Sequence, residues 1–442
     1  MIRRHSMFAL ILLCVFSKAG ASLSYKALFF TVASTDTGTK SLTGFGFQPK
    51  VVRVTANGRS ETADTSGLAN IRLSIGAGAS TSDRGVVAFF SQDGAANATV
   101  GSRMAAGLIM ETDAAGAEIG FADFGAFVSD GVEINITNTF SANIRVLVEA
   151  WGGSDITNVK AALKFDWGAA TGNATITGAG FDPGTNSYFS FFGGGHATGT
   201  LPTVEEDTWQ PMIGVARSAS PVQDGVLLLN HDDDSANSDT DSYIRGDECL
   251  ASMDPAGAAV TNRRASFVGA ATDGFTIDVL QATAAARHAF VTIIKGGSYH
   301  VGDLLTQTDT TTDIVESSFG FAPTGASFFS IGQAQSTAGA PGTDGRISAG
   351  NASSITDEKC LATASNNGAG NMQESTAIEH DEVYIRITDT TGAVEGLMRM
   401  QSFDSGGFTC RMDDADVSAL FVFYSAYGNA AAAPSRRVMV VN

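Results

Sequence analysis

The chain has 442 residues, 43% of them hydrophobic and 9% aromatic, with 50 glycines against 9 prolines; it is apolar enough for several cores and too apolar for a disordered protein. Its formal net charge of −19 repels phosphate backbones, and no basic patch with interleaved aromatics occurs, so nucleic acid is excluded as a partner. No segment beyond the first residues has the length a bilayer-spanning helix needs, so no membrane span is expected in the mature chain.

At the start, Arg3-Arg4-His5, an apolar run over 8–16 and Ala19-Gly20-Ala21 form the three parts of a secretory signal, and cleavage after Ala21 is expected. A phrase of the form Gly-Phe-x-Pro follows, written three times. It occurs as Gly44-Phe45-Gly46-Phe47-Gln48-Pro49, as Gly178-Ala179-Gly180-Phe181-Asp182-Pro183 and as Phe319-Gly320-Phe321-Ala322-Pro323, each before an aromatic or β-branched run. The prolines are 134 and 140 residues apart, about one ordinary domain.

Within each period the same order of landmarks returns. Apolar middle strands are expected over 85–90, 225–229 and 359–362, and hairpin turns at Asp130-Gly131, Asp273-Gly274 and Gly406-Gly407, where positive φ is easiest. Val132, Ile134 and Ile136 alternate with polar residues, which describes a strand with one wet face. The unit closes on apolar runs over 145–153, 289–297 and 419–428, each bounded by glycine and read as a buried strand. The alanine-rich stretch 284–287 is too confined for a stable helix and reads as a loop. An all-β chain of three tandem β-sandwich units is therefore predicted.

Candidate functional residues cluster in the second period. Glu205 and Asp207 stand beside Trp209, and an aromatic face next to carboxylates is a common way to hold a sugar ring; packing in a core is the competing role for the tryptophan. Asp232, Asp234, Asp239 and Asp241 lie in the densest acidic stretch and are candidate ligands for Ca²⁺, with a solvated loop as the alternative because the spacing lacks the order of a helix-loop-helix calcium site. No zinc spacing, nucleophile elbow, phosphate loop or dinucleotide fingerprint occurs, so no catalytic residue is assigned and the chain is not expected to be an enzyme. Beyond the leader three cysteines remain, Cys249, Cys360 and Cys410; the last two share a unit and either pair or stay as buried thiols.

These landmarks resemble a repeat of tail-fibre and virion-surface proteins of tailed phages. The lead-in Thr43-Gly44-Phe45-Gly46-Phe47-Gln48-Pro49 and the stretch Ser402-Phe403-Asp404-Ser405-Gly406-Gly407-Phe408-Thr409 carry the likeness, with Gly406 in place of the usual Asp. The layout is also similar to the H-type lectin sandwich, which assembles into trimers or hexamers. The resemblance implies a jelly-roll or lectin-like fold, a place on a virion surface or outside the cell, and assembly as a homo-oligomer.

The expected organisation is a leader over 1–21, sandwich units over 22–155, 156–298 and 299–429, and a tail over 430–442. The expected function is a non-enzymatic surface protein, phage tail-fibre-like or secreted and adhesin-like, that contacts cell-surface glycans or neighbouring subunits through its sandwich loops. A purely structural subunit of a coat or filament is the alternative.

Overall fold

The computed structural model describes residues 22–429, apart from 96–98, 206–207, 220–222, 233–239, 254–260, 336–341, 344, 368–370 and 389. The expected leader and tail thus lie outside the described residues. What is described is all-β, with several sheets and no helix, as expected for the β-sandwich class. Among the described residues no helix is long and apolar enough to cross a membrane.

Six strands of the first lobe, in the spatial order Ser24–Val32, Ile144–Gly152, Pro49–Ala56, Ile71–Ser80, Asp83–Ser91 and Val100–Ala105, form a large sheet. Gly38–Thr43, Gly131–Asn138, Glu118–Val128 and Ile109–Thr112 form a small one. The same order recurs in a second lobe. There Asn158–Trp167, Arg287–Lys295, Ser187–Ala197, Met212–Arg217, Gln223–Asp232 and Thr240–Arg245 face Gly172–Thr177, Gly274–Gln281, Thr261–Ala271 and Leu250–Met253. It recurs once more in a third. There Ser298–Leu305, Phe421–Gly428, Pro323–Ser330, Gly345–Ser354, Asp357–Ser365 and Glu374–Glu379 face Asp313–Glu316, Gly407–Asp414, Val394–Asp404 and Tyr384–Ile387.

The two sequence landmarks of each lobe touch. Backbone N–H groups of Phe45, Ala179 and Phe319 donate to the carbonyls of Asp130, Asp273 and Gly406. In the first two lobes the aspartate side chain also accepts from the flanking glycines: Asp130 from Gly44 (3.1 Å) and Gly46, Asp273 from Gly178 (3.1 Å) and Gly180 (2.5 Å). These glycines have φ between +79° and +112°, so their N–H groups converge on one carboxylate as an anion-binding nest. Gly406 has no side chain to fill that nest, which is the physical content of the departure at this position.

The closing apolar runs become the last strand of each lobe, inserted between the first and third strands of the large sheet. They lack alternation because both faces are covered. One face meets the small sheet of the same lobe, as where Val146 and Val148 pack with Leu42, Val132 and Ile134. The opposite face enters a core common to all three lobes, which gathers Val51, Leu147 and Trp151 with Tyr188, Ile213 and Phe290 and with Phe329, Phe423 and Tyr427.

Edge strands are shared in a cycle. The segment between the third and fourth large-sheet strands of each lobe leaves it and pairs with another. Thr203–Glu205 extends the first lobe beside Val100–Ala105, Gly342–Thr343 extends the second beside Thr240–Arg245, and Thr65–Leu68 extends the third beside Glu374–Glu379. Every exchange is antiparallel and covers an otherwise open sheet edge. The three lobes therefore close on one another around the common core, and do not string out in a row.

The three cysteines are free and buried. Cys360 and Cys410 belong to different hydrophobic clusters, which settles the alternative in favour of thiols.

Candidate binding clefts at the lobe junctions

The structure moves the sequence-predicted sugar platform inside. Trp209 lies in the short strand Thr208–Trp209, paired with His231 and Asp232, and is 0% exposed. Its ring meets Phe89 of the first lobe edge-on at 6.1 Å, so it packs the common core and no sugar ring reaches it. Glu205 ends the strand donated to the first lobe, opposite Ser102; Asp207 lies outside the described residues. Of the acidic stretch, Asp232 closes the strand Gln223–Asp232, while Asp234 and Asp239 lie outside the described residues. Asp241 is 3% exposed and sits within a strand, between Asn230 and the donated Thr343. It is a seam residue and not a ligand on an open loop, because its backbone is committed to two ladders.

Equivalent side chains of the three lobes meet in two polar layers of the common core. In one, Arg53, Ser190 and Ser327 stand on the third strands, opposite Glu149, Thr292 and Ser425 on the last strands. Arg53 pairs with Glu149 (Nε–Oε2 2.5 Å) and donates from Nη1 to Ser190 (2.7 Å); Ser327 donates to Glu149 Oε1 (2.6 Å). Tyr25 also donates to Glu149 Oε1 (3.0 Å). The guanidinium lies over the rings of Trp151 and Phe329, 5.7 and 5.0 Å from their centroids, a cation–π arrangement. In the other layer Ser91, His231 and Ser365 are the equivalent residues, and Ser91 and Ser365 both donate to Glu374 Oε1 (2.7 and 2.9 Å).

Two accessible concavities lie at junctions and a third within the third lobe. Where the second lobe's first strand leans on the first lobe, a cleft of about 370 Å³ is lined by Gln48, Lys50, Phe127, Ile156 and Val159. Lys50 Nζ donates across it to the Ile156 carbonyl (2.6 Å). At the next junction a cleft of about 320 Å³ is lined by Asn186, Arg217, Tyr299, Phe319 and Phe321, and Arg217 Nη1 donates across it to the Tyr299 carbonyl (2.9 Å). Beside the start of the third lobe's third strand, a cleft of about 510 Å³ has Thr324, Ile355 and Phe403 on its walls. Each thus opens at the start of a third strand. The first two set a basic side chain beside aromatic rings on a chain that is otherwise strongly acidic; the last is neutral.

Sequence reasoning missed these clefts because their walls come from segments some hundred residues apart. The signal that pointed nearest was the Gly-Phe-x-Pro phrase, whose Gln48, Pro49, Phe319, Phe321 and Pro323 line them.

His288 Nδ1 faces Asp166 (2.5 Å) in the strand Asn158–Trp167, while its Nε2 accepts from the Gly199 N–H (2.6 Å) and so anchors the arm that leads to the donated strand.

Comparison with known proteins finds no matching family model, no similar curated protein and no similar solved structure.

Proposed function

We propose that the chain is a non-enzymatic surface protein of three tandem jelly-roll or lectin-like sandwich units, phage tail-fibre-like or secreted and adhesin-like, which contacts cell-surface glycans through its junction clefts. The observation that supports this reading is the recurrence of a cleft of ligand size at the start of the third strand in all three lobes. Clefts of this volume with a few polar groups over apolar walls suit small ligands, and Lys50 and Arg217 beside aromatic rings suit hydroxylated or acidic sugars. Three weak sites on one body act together by avidity, provided the target presents several copies. Neighbouring subunits of a homo-oligomer are the other proposed partner, and an outer surface of a virion or cell the proposed location.

The competing reading is a structural subunit of a coat or filament; the burial of Trp209 favours it by removing one binding platform. A glycan array probed with the purified chain tests the choice. Binding that falls at least about tenfold in Lys50→Ala combined with Arg217→Ala, equal to about 1.4 kcal/mol, is expected. Absence of glycan signal together with ordered polymers in electron micrographs would replace this reading with the structural one.

A further inference from the structure

The chain fills its backbone nests with a carboxylate in only two of the three lobes. In the first, Asp130 accepts from the N–H groups of Gly44 and Gly46, and in the second Asp273 accepts from those of Gly178 (3.1 Å) and Gly180 (2.5 Å). The third lobe sets Ser318 and Gly320 at the nest positions and Gly406 at the place of the aspartate. The Phe319 N–H, which donates to the Gly406 carbonyl (2.9 Å), fixes this correspondence, since Phe45 and Ala179 donate in the same way to Asp130 and Asp273.

The third nest is built like the other two although the chain supplies it no acid. Ser318 and Gly320 have φ of +72° and +76°, in the left-handed region like the glycines of the first two lobes, and Ser318 holds that conformation although its side chain disfavours it. A Cβ on Gly406 would stand 4.0 Å from the Ser318 nitrogen and meet nothing nearer, so the space an aspartate would use is open. Among the described residues nothing accepts from the N–H of Ser318 or of Gly320. The acids beside the nest are committed elsewhere: Asp404 accepts from the hydroxyls of Ser402 (2.9 Å) and Thr409 (3.0 Å), and Glu316 from that of Tyr424 (2.8 Å).

The nest adjoins the cleft between the second and third lobes, because Gly320 and its neighbour Phe319 line that cleft together with Arg217 and Tyr299. The field of the guanidinium reaches the nest loop. His300, stacked on Phe319 with ring centroids 4.2 Å apart, is held down at about 4 by burial and then by Arg217. Its ring is therefore neutral near pH 7, and the attraction for an anion at this rim comes from Arg217 and from the convergent N–H groups.

We propose that the nest of Ser318 and Gly320 binds the carboxylate of an acidic sugar whose ring lies in this cleft. The sugar rests on the glycan reading above, whereas the carboxylate is argued from the first two lobes, where the chain's own aspartate makes the same bonds. A hydrogen bond to an ionised acceptor is roughly twice as strong as one between neutral groups, but at a solvent-exposed rim two such bonds hold a small acid only weakly. A ring that also packs on Phe319 and Phe321 adds apolar contact, so the site selects a sugar acid over both a neutral sugar and a bare carboxylate.

Amide chemical shifts of the full chain, isotope-labelled at its serine and glycine nitrogens, read the nest directly, with Ser318 identified as the signal lost in Ser318→Gly. At constant ionic strength sodium glucuronate should move the Ser318 amide with a Kd on the order of 1 mM, sodium acetate should do so roughly tenfold more weakly, and glucose should leave it in place. Gly406→Asp should fold, because it restores the arrangement of the other lobes, and should abolish the response to both acids. Asp130→Gly should extend the response to the amides of Gly44 and Gly46. A Ser318 amide unmoved by either acid, or moved as much in Gly406→Asp as in the wild type, overturns the proposal, and glucuronate bound no tighter than acetate overturns the assignment to a sugar. Neutral glycans held on the array while this amide stays still would sink the inference and leave the glycan reading standing; glucuronate bound at the nest of a chain silent on the array would do the opposite.

Discussion

Arg53 and Glu149 occupy positions that the second lobe fills with Ser190 and Thr292 and the third with Ser327 and Ser425. Three copies of an arginine could not share this layer, since like charges would meet where the lobes converge; one arginine reaching Ser190 and one glutamate reached by Ser327 tie the first lobe to both others. Breaking a buried pair leaves an uncompensated charge, whereas replacing both partners by apolar groups is often tolerated. Glu149→Leu is therefore expected to lower stability by about 3–5 kcal/mol, and adding Arg53→Met should recover at least half of that loss in denaturant midpoints. A double variant as unstable as the single one would show that the pair does not act as a unit. None of this was legible in the chain, because Arg53 and Glu149 are 96 residues apart and nothing in their neighbourhoods distinguishes them from surface charges. Trp209 was legible in part: core packing is one of the two roles its sequence context allows, and its ring lies in the core against Phe89.

At the scale of the strand, local pattern carried far. Gly-Phe-x-Pro marks the entry to the third strand of each lobe, Asp-Gly and Gly-Gly mark the hairpins before Gly131–Asn138, Gly274–Gln281 and Gly407–Asp414, and the closing apolar runs mark the last strands. Positive φ sets the glycines of the Gly-Phe-x-Pro phrases, alternation the half-wet strands and continuous apolarity the runs covered on both faces; at the hairpins only Asp273 has positive φ, and Gly131, Gly274 and Gly407 are required instead by the close carbonyls of Leu42, Ile176 and Glu316. The donated strands escaped notice because they are short and their partners lie in other lobes. Thr65–Leu68 contains Gly67 and only one aliphatic side chain, and its hold depends on Arg59, which donates to the Gly67 carbonyl (2.7 Å) and to Thr376 (2.8 Å) on the receiving edge. Arg59→Ala should accelerate amide exchange across residues 374–379 by roughly tenfold or more, the equivalent of about 1.4 kcal/mol of local opening, while amides of the strand Pro49–Ala56 keep their protection. Unchanged exchange at 374–379 would mean that backbone pairing alone secures the strand.

For the molecule as a whole, buried acids set the response to pH. Burial first, and neighbouring acids after it, push Asp224 up to about 7 and Glu358 up to about 8, while burial holds His196 down at about 3 and His300 at about 4. An acid whose folded pKa is raised binds more protons in the native state, so its stabilising effect is lost as pH climbs from the unfolded value toward the folded one. The histidines act in the opposite sense and only below their ordinary value near 6.5. Between about pH 6.5 and 7.5 the carboxyls decide the slope, the buried thiols joining them in the same sense above it, and the melting temperature should fall as pH rises from about 6.5 to 8.5. Glu358→Gln should flatten the upper part of the fall, and a melting temperature that rises over the same window would contradict these environments.

Leu23 donates its backbone N–H to the side chain of Asn429, so the two ends of the described residues are neighbours, as members of a closed cycle of lobes must be. Covalent continuity and spatial succession are thereby uncoupled: the passage from 429 back to 23 spans no greater gap than the passages the backbone makes between lobes. Which lobe comes first in the chain is then a matter of where the circle happens to be cut, and rejoining those extremities while severing an inter-lobe connection would leave every sheet with the same strands in the same company.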